Sequence, residues 1–487
     1  MKIRSFAVSA LALAAALTAL TGCAPAGSVS DVRLPGLAGL EARPTVVRIS
    51  RDSQGRFEAV YELDRDAPVW AFRRSALSRE GRRPWRLDQW RVTTPGVTLS
   101  RVGFYDVLTA EGGGPVPRQV RVALTPVSAD VEADYDPALM FSSGDMALYT
   151  DHFDVIPYGR LAEVEALPSD MNQVSTPGSG PVETRFRDAR GPVLFRGERV
   201  AEAVGRNANT YVLFGAGEAS TSQGVAAIVD PGLPAWIGDE LEAFTPRILD
   251  FYAQRLGPKP GATPTVMVSW RGPSSGRNSL GGSVMSGLIV MTFEGAGLTR
   301  VDPSAIVRSR WFIGHEAAHF WLGQAVRYEF ARDAWITEGG ADLMAVRGLK
   351  ALDPTYDARA ELQNEVNDCA RLAVRSVAEA GDRGEHRAYY ACGAVFAMAA
   401  EGAQAQRGGG DFFDFLRPLI DTNREDGVLT RDEWLTALTR ASRDPSLRLD
   451  VERLLDQGAP DPAAVIARLF QRTGVAHRVE NGRVVLL

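Results

Sequence analysis

From Thr45 to about Asp230, apolar residues come in short alternating or β-branched runs separated by turn residues. Val46-Val47-Arg48-Ile49, Phe57-Glu58-Ala59-Val60-Tyr61, Val120-Arg121-Val122-Ala123-Leu124 and Tyr211-Val212-Leu213-Phe214 are examples. Successive strand side chains face opposite sides of a sheet, so this spacing predicts an antiparallel β-sandwich or saddle. Pro168 to Pro181, with Ser, Asp, Asn, Thr and Gly between the prolines, predicts an exposed loop. Near Pro234 the period changes. Ile237, Leu241, Phe244, Ile248 and Tyr252 recur at helical spacing, with Pro246 placed to split or kink the helix and Gly257-Pro258 to end it. Thr265 to Trp270 and Gly287 to Met291 predict buried strands.

Asp302-Pro303-Ser304 then predicts a helix start, a capping side chain before a proline in the first turn. Ile306, Phe312, Ile313, Phe320 and Leu322 supply its buried positions, and Gly323 its stop. Helical patterning continues to about Ala441; the last stretch, from Asp450, predicts one or two short helices around Ala464 to Phe470 and a final strand from Arg483 to Leu487. The pattern as a whole predicts an α+β chain: a β-rich domain over 45–232, a mostly helical domain over 233–441 and a short extension over 442–487. It contains no internal repeat and no interior run long enough to be a membrane helix.

Inside the helix that opens at Asp302 lies His315-Glu316-Ala317-Ala318-His319, and Glu338 follows after eighteen intervening residues. A helix turns once in about 3.6 residues, so His315 and His319 point the same way, and Glu316 is rotated by about 100°. Two imidazoles on one face, a carboxylate base beside them and a third ligand from elsewhere are what a catalytic zinc site needs. Glu338 completes a set of two His and one Glu and leaves the fourth tetrahedral position for water. Chance is a poor explanation, because the whole chain holds five histidines: His152, His315, His319, His386 and His477. Burying two of them and a glutamate in so apolar a run would be costly without a partner, and a metal is the obvious one. The other three histidines are assigned surface or structural places.

Composition narrows the setting. The formal net charge of −6 and the absence of a basic patch give no reason to expect a nucleic-acid partner. Lys2 and Arg4 precede an apolar run from Phe6 to Leu20, too short for a typical membrane span, which predicts a signal peptide over 1–22. Leu20-Thr21-Gly22-Cys23 resembles the lipobox of bacterial lipoproteins. The resemblance implies cleavage before Cys23, lipidation of its thiol and amine, and an anchor in the membrane of a bacterial cell envelope. Ala24 after the cysteine resembles the default for the outer membrane, on its periplasmic face, and 23–44 reads as a tether. Export leaves Cys369 and Cys392 as an even pair in an oxidising compartment, either a disulfide or two buried thiols.

His315-Glu316-Ala317-Ala318-His319-Phe320-Trp321-Leu322-Gly323-Gln324, the gap to Glu338 and Trp335-Ile336-Thr337-Glu338-Gly339 resemble the aminopeptidase N family of gluzincin metallopeptidases. The resemblance, from about Pro234 to Leu438, implies a β-saddle domain ahead of a thermolysin-like domain, with one zinc ion on His315, His319 and Glu338, Glu316 as the base, and a peptide substrate. Tyr390-Ala391-Cys392-Gly393 stands where that family has a Tyr-x-x-Gly helix start, whose tyrosine stabilises the oxyanion; the adjacent Tyr389 is the alternative donor. Gly281-Gly282-Ser283-Val284-Met285 stands where the family's substrate-binding strand reads Gly-x-Met-Glu-Asn. Val284 replaces the glutamate that grips a substrate's free amine, which a valine cannot do. Asp342, one helical turn past Glu338, is either a carboxylate placed to orient a zinc imidazole or a solvated surface aspartate. Two other functions fit the same residues, a lipid-anchored binding or assembly protein without catalysis and a zinc hydrolase of a non-peptide bond. Asp426-Gly427, Leu429 and Glu433 imitate half of a calcium loop, but Arg424 among its would-be ligands argues against calcium.

Overall fold

Strand pairing in the N-terminal half begins with Thr45–Arg51, which buries Thr45, Val47, Ile49 and Arg51 and leaves the alternate residues more exposed. The computed structural model describes residues 44–174, 180–218, 220–222, 225–260, 265–275, 278–285 and 287–487. Cys23 and the expected signal peptide lie outside the described residues. Among the described residues no helix is long and apolar enough to cross a membrane.

Thr45–Arg51 pairs antiparallel with Phe57–Glu62, aligning Val47 with Tyr61 and Ile49 with Ala59. On its other side it pairs in parallel with Val182–Asp188, a contact between segments far apart in the sequence. The six-stranded sheet so built is mixed rather than purely antiparallel. A four-stranded sheet around Val69–Phe72 and Tyr105–Ala110, and a five-stranded one around Met146–Tyr149 and Tyr211–Phe214, complete the β-rich part.

A further sheet runs in the order Ser220–Ser222, Val225–Val229, Thr265–Trp270, Leu288–Glu294 and Ser279–Met285. Both of its faces are covered. Met267, Met285, Leu288 and Val290 pack with Leu139, Tyr149 and Leu213 of the β-rich domain. Val266, Val268, Val284, Ile289, Met291 and Phe293 face the helices. That is why its strands read as continuous apolar runs instead of alternating ones. Among the described residues Ser279–Met285 lies at the edge, paired on one side only, antiparallel to Leu288–Glu294.

Ala235–Leu256 is one continuous helix despite Pro246. The proline removes one amide donor, whereas Ile237, Leu241, Phe244, Ile248, Tyr252 and Leu256 are all buried along one stripe. Each such side chain contributes about 1.5–3 kcal/mol on burial, more than enough to offset one lost hydrogen bond. The residues after Ala441 form helices Pro445–Asp456 and Pro462–Thr473 and a hairpin, His477–Glu480 with Arg483–Leu486. Leu447, Leu454, Ile466 and Phe470 join the same core as Val395 and Phe396, so this extension packs as part of the helical domain. The supposed calcium half-loop is otherwise employed: Glu433 and Thr430 form a capping box at the start of Arg431–Ser442.

Candidate metal centre

Three helices supply the site. The histidine helix, Pro303–Ala318, starts as its sequence predicts, with Asp302 accepting from the amides of Ser304 and Ala305. It ends five residues before Gly323, so that His319 is the first residue past the last turn. The chain then folds back on itself, and Gly323 at φ 150° accepts a bend in which a Cβ would lie 2.9 Å from the His319 carbonyl oxygen. This reversal brings the Leu322 carbonyl to 2.8 Å from His319 Nδ1. A continued helix would have turned that carbonyl along its axis, so the early stop is what orients the second imidazole.

Glu338 sits in the first turn of the glutamate helix, Trp335–Leu352, and Asp342 one turn on. Asp342 Oδ1 is 2.8 Å from His315 Nδ1. With both Nδ1 atoms facing acceptors, the Nε2 atoms turn toward each other, 3.1 Å apart. Glu338 Oε2 lies 3.6 Å from His315 Nε2 and 3.5 Å from His319 Nε2. Ligands held tetrahedrally about 2.1 Å from zinc are roughly 3.4 Å from one another, so this triangle has the size the ion needs. Two imidazole lone pairs directed at each other beside a carboxylate are unfavourable without a cation between them. The donor set fits zinc.

The surrounding carboxylates favour positive charge on this triangle. Burial works against protonation of His315, but Asp342 and Glu338 outweigh it and raise the imidazole well above its usual range. Burial also opposes the charge on Glu338, yet His319 and His315 outweigh it and hold that carboxyl well below the usual carboxylate range. Glu316, buried beside the triangle, is raised by burial against the pull of both imidazoles. A raised carboxyl is suited to accepting and returning a proton.

Tyr390 and Tyr389 separate cleanly. Tyr390 stacks on His315 with ring centroids 5.8 Å apart, and the adjacent Glu338, together with burial, pushes its hydroxyl well above the usual value. The Tyr389 hydroxyl instead accepts from the Gly381 amide at 3.0 Å and donates to the Ala378 carbonyl at 3.1 Å, away from the triangle. The tyrosine helix, Arg387–Gln406, crosses the glutamate helix at two glycines. A Cβ on Gly393 would meet the Trp335 carbonyl oxygen at 2.2 Å, and one on Gly339 the Gly393 carbonyl carbon at 2.1 Å. Only glycine on both sides lets the backbones approach so closely. Cys392, in the same turn, forms a disulfide with Cys369 of the neighbouring helix Ala358–Leu372.

The edge strand Ser279–Met285 passes beside the base. Gly281 and Gly282 are exposed, and a Cβ at Gly282 would stand 2.6 Å from Glu316 Cδ and from Phe312 Cζ. Ser283 turns its hydroxyl onto the Gly282 carbonyl, and Val284 is buried, its carbonyl accepting from Gln324 Nε2 at 3.4 Å. Sequence reasoning missed Gln324, and it missed Arg387, which lies behind Asp342. It also missed Tyr135 and Tyr328, whose hydroxyls are raised by burial, with the Glu338 charge adding to the effect. None of these carries a spacing signal. The remaining histidines stand apart from the triangle: His152 faces Asp134 at 3.3 Å, His477 faces the Val475 carbonyl, and burial with Arg79 and Arg82 lowers His386 to about 4.

No protein-family model and no curated protein sequence matches the chain. Solved structures do. An aminopeptidase N family protein from Idiomarina loihiensis superposes with a TM-score of 0.55 at 11% identity, covering 87% of this chain and 78% of its own. The chain has the aminopeptidase N fold. Leukotriene A4 hydrolase from Saccharomyces cerevisiae gives a TM-score of 0.51 at 12% identity, covering 86% of this chain and 68% of its own. At such identities the likeness is one of architecture: a β-rich domain leading into a mostly helical, aminopeptidase N-like domain.

Proposed function

We propose that this protein is a zinc-dependent hydrolase of peptide bonds, held in a bacterial cell envelope through lipid on Cys23. The observation that carries the catalytic part is the triangle of His315 Nε2, His319 Nε2 and Glu338 Oε2, with sides of 3.1, 3.6 and 3.5 Å. Zinc bound there supplies Lewis acidity to a scissile carbonyl and acidifies water. Glu316 takes the proton that water loses and delivers it to the leaving amine. Tyr390 donates its hydroxyl to the oxygen that gains negative charge, and Asp342 keeps the His315 ring oriented with Nε2 toward the ion. The free edge of Ser279–Met285 holds an extended peptide by main-chain hydrogen bonds, the bare backbone at Gly281 and Gly282 letting it lie close to Glu316.

Val284 distinguishes this strand. A buried valine offers nothing to an ammonium group, so the proposed substrate is a peptide read through its backbone and not through a free N-terminus. Internally quenched peptides and aminoacyl-nitroanilides should be compared on zinc-loaded protein. Faster cleavage of the quenched peptides is expected; rapid nitroanilide release would overturn the reading of Val284, and hydrolysis of neither would overturn the peptidase. The anchor has its own test. Cys23→Ser should move the protein from the membrane fraction to the soluble one, and an unchanged distribution would remove the lipid from the proposal.

A further inference from the structure

Asp342 uses one carboxylate oxygen on His315, while the other, Oδ2, is buried and makes no hydrogen bond. A half-satisfied buried carboxylate that holds a metal ligand needs charge compensation from somewhere. The arginine facing Oδ2 is Arg387, with Nη1 at 3.7 Å. Its two other nitrogens are also committed. Nη2 is 2.7 Å from Glu365 Oε1, and Nε is 2.9 Å from Asp368 Oδ2. One planar guanidinium therefore faces three carboxylates, each through a different nitrogen, a task for which lysine lacks the geometry.

The placement of these groups links two parts of the site. Arg387 is the first residue of the tyrosine helix, and Tyr390 comes one turn later. Glu365 and Asp368 belong to the helix that Cys369 ties to Cys392 of that same turn. Asp342 belongs to the glutamate helix. We infer that Arg387 is a positioning residue, which fixes Asp342 behind the His315 ligand and, by the same contact, sets the start of the tyrosine helix against the metal triangle. It touches neither substrate nor the reacting atoms. Its removal leaves Asp342 free to turn away from His315, and the metal and the oxyanion donor lose their common support.

The inference rests on the zinc reading above, so its test reads zinc binding separately from hydrolysis. Full-length wild type, Arg387→Met and Arg387→Lys are compared by chelator-competition titration with zinc alone, by apo-protein melting, and by kcat and KM on a quenched peptide. Arg387→Met is expected to bind zinc at least tenfold more weakly, in the range typical of lost groups behind a ligand, and to lower kcat with little change in KM. Arg387→Lys is expected to recover part of the zinc affinity. A lower apo melting temperature with wild-type zinc affinity would reduce Arg387 to a stabilising ion pair and overturn the inference. If Arg387→Met does not fold, Glu365→Gln and Asp368→Asn loosen the same grip, and wild-type zinc affinity in both would overturn it equally. A wild type that takes up no zinc would instead overturn the underlying peptidase reading, and this inference with it.

Discussion

Replacing Glu316 by Gln keeps the side chain's shape and removes its basicity, so it separates proton transfer from metal holding. The variant should retain zinc and lose about 10²–10⁴-fold in turnover; a fully active Gln variant would show that the base is elsewhere. Tyr390→Phe should cost about 10²–10³-fold in kcat at unchanged zinc content. Tyr389→Phe should lose little, because its hydroxyl serves the Gly381 and Ala378 backbone. If their effects are reversed, the oxyanion donor has been misassigned. His386 gives a pH signature. Burial and the Arg79 and Arg82 charges lower it to about 4 in the fold, whereas the unfolded chain has its usual value near 6.5. Below that usual value the unfolded state takes up a proton that the folded state refuses, so stability falls as pH drops from about 6.5 toward 4. At pH 5 the loss from this residue is about 2 kcal/mol, and His386→Gln should abolish it. Urea melts of both proteins at pH 7 and pH 5 decide the matter; an equal acid response would contradict the assignment.

Helix pairs, not single residues, bring the donors together. Gly393→Ala would push a methyl into the Trp335 carbonyl at the crossing of the tyrosine and glutamate helices. Overpacking of this kind typically costs about 1–3 kcal/mol, and here it should also lower kcat by separating Tyr390 from Glu338. Unchanged stability and turnover would mean that the crossing is looser than its geometry. Cys369→Ser should cost about 3 kcal/mol through the freed loop to Cys392, measured as a fall in denaturation midpoint. At this scale the sequence is legible where chemistry or steric demand fixes the residue type. His315, His319 and Glu338 could be singled out as a group because a metal-holding set admits few residue types, and the fold brings the three together. The start at Asp302 was legible because a cap needs a particular side chain. The end of the histidine helix was not, because Gly323 marks the completion of a reversal that begins at His319, where nothing in the sequence breaks a helix. Arg387 was illegible for a different reason. An arginine opening a helix is ordinary, and its partners Asp342, Glu365 and Asp368 meet only in the tertiary fold.

Over the whole molecule, the shift from strand to helix patterning near Pro234 announced two regions. The way they join was hidden, because it depends on pairing between distant segments. Thr45–Arg51 lies parallel to Val182–Asp188, and the sheet containing the edge strand is buried between the β-rich domain on one face and the helices on the other. That sandwiching holds Gly282 against Glu316. The fold is thus a support for one cluster of side chains, and the proposed activity depends on what that cluster holds. Elemental analysis of the protein after zinc loading and removal of loose metal, alongside a His319→Ala variant, is the most direct test. One zinc per wild-type chain, lost in the variant, is the expected result. A wild type without zinc, or a variant that keeps it, would contradict the account.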